Sequence, residues 1–309
     1  MGYPADSRTG LVDGRAGEMS VQQPRFMWLG AEKSLVVKIG GIIMVAATLM
    51  SWREPGLENS PGLVGAGPVS GGAGLIVLAS GLSFLLRPSR PGVVLGRALA
   101  GLVAVLIFIV RVETAPVYEF DVAPGGWIAL AGAAIALIGS ALLLPDSNLR
   151  PDQRIEWLPA LVGATMAVVA PLFLPWAGLV QGSALQPDFP PFEILADGLS
   201  TEFITGYPIL ILGSAVLLIT TLARVKGDNA GGRQWRLIAC QASGSAIALL
   251  AGMGVASTLM RGNAGNSEFR LLILSGPLVA LAGGILLARS TRPDEAAKAP
   301  DRTFTPKAS

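Results

Sequence analysis

The chain has 309 residues, 51% of them apolar and only 14% charged, against roughly 25% charged in a soluble domain. It contains no histidine and a single cysteine, Cys240. That removes the usual base near neutral pH, the usual axial ligand of membrane haems, most zinc sites and any disulfide. No cofactor, metal or nucleic-acid partner is expected.

Residues 1–33 are polar and of mixed charge, and the first apolar run starts at Leu35. This reads as a cytoplasmic tail rather than a signal peptide, with Met19 as a second candidate start. Apolar runs follow at 34–52, 71–87, 93–112, 126–144, 157–176, 207–224, 235–260 and 270–289. Each is near the length that crosses about 30 Å of hydrocarbon. Backbone groups in lipid must be satisfied within their own segment, so the runs predict helices.

The expected fold is therefore all-α: a polytopic membrane bundle of about eight transmembrane helices, built as four repeated hairpins or two four-helix halves. The halves are 34–144 and 157–289, joined by a cytoplasmic linker at 145–156. The tail 290–309, rich in Ala, Pro, Lys and Asp, reads as disordered.

Basic residues set the orientation. On this layout 19 of the 23 Lys and Arg fall on the side of the termini, while the other side has only Arg53, Arg111, Arg261 and Arg270. The positive-inside rule then places both termini in the cytoplasm of a bacterial inner membrane. Trp52, Trp127, Trp157, Trp176 and Trp235 fall at run ends, where the headgroup layer favours amphipathic rings.

The returning helices share a spacing. Gly74 and Gly81, Gly132 and Gly139, Gly206 and Gly213, and Gly276 and Gly283 are each seven residues apart. Seven residues are two turns, so each pair notches one face. Small residues on such faces let membrane helices approach closely, and these eight are predicted packing positions. Their recurrence reads as a parallel duplication.

No Asp, Glu, Lys or Arg lies near the middle of a run. Gln241 is expected to make an interhelical hydrogen bond, and Cys240 to pack as a small side chain. The glycine-rich stretch Gly62 to Gly74 lacks the lysine and the preceding strand of a phosphate loop.

The outer loop 177–206 carries Asp188, Glu193, Asp197 and Glu202 and no basic residue. Within it Phe192, Leu195, Leu199 and Phe203 recur at three- and four-residue steps, predicting a short amphipathic helix on the outer surface. These eight residues form a candidate partner-docking loop, with a weak calcium site as the other reading. Arg53, Arg111 and Arg261 are a candidate outer-face contact for an anion or a lipid headgroup, or simply ion pairs involving Glu54 and Glu113.

Leu174-Pro175-Trp176, and Ser51-Trp52 before the first outer loop, resemble helix-end motifs of the tryptophan-associated transmembrane proteins and related bacterial multi-pass families. The resemblance covers about half the chain and implies no catalytic residue. The leading expectation is a non-enzymatic scaffold or accessory subunit that binds membrane lipids and other membrane proteins. A facilitator for a small neutral or lipidic solute, lined by Thr220, Thr221, Gln241, Ser257 and Thr258, is the second. An enzyme on a lipid-linked substrate, using Arg53, Arg111 and Glu54 or Glu113, is the third.

Overall fold

A computed structural model describes residues 23–54, 68–86, 90–114, 121–144, 153–181, 192–197, 205–226, 230–264, 269–273 and 275–293. Among them are eight helices: α1 Gln23–Thr48, α2 Pro68–Leu86, α3 Pro91–Thr114, α4 Pro124–Leu143, α5 Trp157–Phe173, α6 Gly206–Lys226, α7 Ala230–Ala264 and α8 Ser275–Arg289. Pro68, Pro91, Pro124, Pro159, Pro208 and Pro277 all sit in first turns. A missing N–H costs nothing there, and the fixed φ favours the helix.

Among the described residues, three segments are long and apolar enough to cross a membrane: Pro91–Glu113, Pro124–Leu143 and Gly232–Ala256. The protein is mostly helical, with spans compatible with a membrane protein. α5 and α8 are shorter than the apolar runs that predict them. Seventeen and 15 residues long, they rise only about 25 and 22 Å. Residues 174–176 and 270–273 of those runs are extended instead.

That extended chain departs from an all-helical reading. The strands are β1 Arg53–Glu54, β2 Asp121–Val122, β3 Gln153–Ile155, β4 Pro175–Gln181, β5 Phe192–Asp197, β6 Phe269–Ile273 and β7 Thr291–Pro293. β1 pairs with β2, β3 with β7, and β4 lies between β5 and β6, all antiparallel. The amphipathic helix expected from Phe192 and Leu195 is thus a strand. In β5, Phe192 faces Val180 and Ile194 faces Gly178 across the ladder. A four-residue helical pattern is weak, and pairing with β4 satisfies the backbone instead. Leu199, Glu202, Phe203 and Asp188 lie outside the described residues.

Alanine is the commonest buried side chain among the described residues, packed around larger ones such as Met44, Phe108, Ile247 and Leu250. Ala47, Ala98, Ala104, Ala129, Ala133, Ala136, Ala164, Ala167, Ala246 and Ala280 have no exposed surface. Other large apolar side chains point outward: Leu86 is 78% exposed, Phe173 75% and Ile211 66%. A water-soluble bundle sorts its residues the other way.

The helix contacts come in matching sets. A Cβ on Gly40 of α1 would meet Gly132 O and Ala136 N of α4; one on Gly163 of α5 would meet Gly283 O and Leu287 N of α8. In return Gly132 abuts Ile43 and Met44 N, and Gly283 abuts Met166 and Ala167 N. Gly81 of α2 rests on Met44 and Val45, and Gly213 of α6 on Ala167 and Val168. Positions 123 apart in α1 and α5 therefore have the same partners, 151 apart in α4 and α8 and 132 apart in α2 and α6.

This register differs from the one the glycine spacing suggests. Gly125, Gly132 and Gly139 form an unbroken heptad series, so spacing cannot say which two answer to Gly276 and Gly283. Contacts can: Gly125 packs on Trp52 as Gly276 packs on Trp176. Gly132 then answers to Gly283, and Gly139, set against Val36 and Val37, answers to Ser290.

Candidate functional site

Trp52 and Trp176 lie just past helix ends, as expected, but are packed inside the protein rather than on its surface. Each follows the first helix of its set and is buried, 1% and 0% exposed. Trp52 Nε1 donates to Ala47 O at 2.8 Å and Trp176 Nε1 to Ala170 O at 3.0 Å. Ala47 and Ala170 are 123 residues apart, the tryptophans 124. The extra residue falls between Ala170 and Pro175, because Ser51 O and Pro175 O, which meet Gly125 and Gly276, are already 124 apart. A buried indole needs an acceptor, and the second lone pair of a helix-end carbonyl supplies one: Ala47 O also accepts from Met50 N and Ala170 O from Leu174 N. Trp127, Trp157 and Trp235 are 50%, 41% and 62% exposed, as rings at an interface would be.

The densest polar contacts lie at the opposite end, where α3 runs alongside α7. Gly92 abuts Ile238 O and the Gln241 side chain, and Gly96 abuts Ser245 Oγ and Ala242 O. The four-residue spacing of Gly92 and Gly96 brings the two backbones together. Gln241 is fully buried, and its Nε2 donates to Thr291 Oγ1, just past α8, at 3.0 Å. Arg90, at the foot of α3, donates from Nη1 to Thr291 O at 2.9 Å and Oγ1 at 3.3 Å. Ser245 Oγ donates to the Gln241 carbonyl at 2.7 Å. Gln241 Oε1 is buried without a hydrogen-bond partner. Arg97, half-buried on α3, and Arg236, buried on α7 and donating to Gly232 O at 2.9 Å, lie on the helices that form this seam.

The other sequence candidates do not gather into one place. Gly74 and Gly206 are buried near the starts of α2 and α6. Arg111 is half-buried and Glu113 exposed near the end of α3. Arg53 and Glu54 enter β1 by their backbone, Arg261 lies on α7, and Glu193, Leu195 and Asp197 lie on β5. The side chains of these last six fall outside the described residues, as do those of Ser257 and Thr258. Thr220 and Thr221 of the suggested solute path return their hydroxyls to Leu217 O at 2.9 and 2.8 Å. Gln241 turns to Thr291 instead.

Sequence reading singles out Gln241 but misses Arg90, Gly92, Ser245 and Thr291. The Arg90-Pro91-Gly92 helix start and the Gly92/Gly96 spacing were the available signals. No family model matches the chain, and no curated protein or solved structure matches it either.

Proposed function

We propose that the chain is a multi-pass protein of the bacterial inner membrane with eight spans and both termini cytoplasmic. It comprises two duplicated four-helix halves, α1–α4 and α5–α8, whose third helices meet at the Gly92/Gly96 seam. Its role is that of a non-enzymatic scaffold or accessory subunit, holding lipids and other membrane proteins against its flanks.

One observation carries this reading: large apolar side chains such as Leu86, Phe173 and Ile211 face outward, while many helix contacts are made by buried alanine and glycine. In water such a surface would aggregate; in lipid it is solvated. The matched glycine contacts of α1/α4 and α5/α8 support the duplication. The flank of α6, with Ile211, Leu218 and Leu222 exposed, is one apolar surface offered to a neighbouring helix.

Purification from native membranes in mild detergent, after brief crosslinking, tests the role. A defined set of co-purifying membrane proteins is expected. Recovery as a lone protein would overturn the scaffold reading.

A further inference from the structure

We infer that the seam between α3 and α7 binds a phosphate-bearing ligand with a hydroxyl or ammonium group beside the phosphate. The juxtaposition behind this is Arg90 and the first turn of α3 set against the unpartnered oxygen of Gln241. Among the described residues, three buried side-chain atoms have no hydrogen-bond partner: Ser80 Oγ, Thr205 Oγ1 and Gln241 Oε1. Ser80 stands beside Gly101 and Thr205 near Gly254 and Trp176. Only Gln241 belongs to a network that includes a cation, through Thr291 to Arg90.

The groups present define the ligand. Gln241 Oε1 is an acceptor, so it requires a donor. It lies 2.8 Å from where a Cβ on Gly92 would stand, which places it at the first turn of α3. The leading N–H groups of a helix have no partner inside it and carry the positive end of its dipole, so they favour an anion. Arg90 is exposed and uses Nη1 for Thr291; a guanidinium presents five N–H donors, and the others suit phosphate oxygens. Arg236 adds positive charge from the α7 side. A phosphate alone leaves Gln241 unsatisfied, and a neutral alcohol leaves the arginine and helix start unused. A lipid headgroup such as that of phosphatidylglycerol, or a small solute such as glycerol 3-phosphate, supplies both parts. The lipid source rests on the membrane reading; the solute source does not.

The test uses the full chain, purified and delipidated in detergent, with ligand binding read from thermal-shift titration. Phosphatidylglycerol is compared with phosphatidylethanol, which has the same charge but no hydroxyl, and glycerol 3-phosphate with methyl phosphate. The hydroxyl-bearing member of at least one pair is expected to bind about tenfold tighter, the size of one hydrogen bond to a buried acceptor. Q241L should bring that ratio near one. G92A, which crowds Oε1 without altering the glutamine, should do the same and serves if Q241L does not fold. R90Q should weaken both members about tenfold and keep the ratio. Preference in the lipid pair alone identifies a headgroup; preference in the soluble pair alone identifies a free solute. Equal binding within both pairs, or a ratio unchanged by both Q241L and G92A, would overturn the site. Neither result bears on whether the helices cross a bilayer, which topology mapping decides separately.

Discussion

Gly163 and Gly283 face each other backbone to backbone: a Cβ on Gly163 would stand 2.7 Å from Gly283 O, and one on Gly283 2.8 Å from Gly163 O. No side chain fits between α5 and α8 at this level. Gly244 and Gly284 repeat the relationship between α7 and α8, each with a would-be Cβ 2.9 Å from the other's carbonyl oxygen. α8 is thereby held closely on two sides, although it has only 15 residues.

Substitution at these positions should be costly. Gly283→Leu is expected to destabilise the protein by about 3 kcal/mol or more, because the obstructing atoms are backbone and cannot rotate aside. Gly132→Leu, at the matching place on α4, should have a similar effect. Gly252 is the control, with nothing within 4 Å of its would-be Cβ. Gly252→Ala should be neutral or stabilising by up to about 1 kcal/mol, from helix propensity alone. Thermal unfolding in detergent measures all three. Equal effects at Gly252 and Gly283 would refute the packing account.

The two buried indoles should behave as a pair. Trp52→Phe and Trp176→Phe each remove one of two hydrogen bonds to a helix-end carbonyl, at a cost of about 1 kcal/mol. Trp127→Phe and Trp235→Phe should change stability by less than about 0.5 kcal/mol. In single-tryptophan variants reconstituted in brominated lipid, fluorescence from positions 127 and 235 should be quenched. Positions 52 and 176 should resist quenching.

Hydrogen exchange distinguishes the strand assignment from a loop. β4 is the central strand of its sheet, with Gly178 opposite both Ile194 and Leu272. Amides of 178–180 should exchange markedly more slowly than those of the two-residue ladder at Arg53 and Glu54. Leu179→Pro should abolish that protection by removing a ladder donor. Fast exchange in the unaltered chain would contradict the sheet.

Orientation can be read by cysteine labelling in intact cells. Cys240 is buried, so it should react slowly and leave a low background. Cysteines introduced near residues 150 and 230 should be inaccessible to a membrane-impermeant reagent, and one near residue 60 should label. Labelling at 150 or 230 would invert the topology and remove the basis for calling β4–β6 external.

Much of the local architecture is legible in the chain itself. Each apolar run overlaps one of the eight described helices, because an apolar run satisfies its backbone groups most readily as a helix. First-turn prolines, Pro24 of α1 included, mark where seven of them begin. The interhelical role expected of Gln241 matches its bond to Thr291, though its partner, 50 residues away, is not legible. Spacing identifies Gly81, Gly213 and Gly283 as glycines that tertiary contacts use.

Tertiary structure decided what depends on pairing between distant segments. Trp52 and Trp176 stand at helix ends in sequence, and distant segments bury them: Gly125 and Phe108 against Trp52, Gly276 and Gly254 against Trp176. Phe192–Asp197 has an ambiguous period, which β4 resolves by offering backbone partners. Three glycines at equal intervals in α4 look alike until α1 meets them. Local sequence specifies which groups must leave lipid or water; which neighbour they meet is set by contacts between residues dozens to hundreds of positions apart.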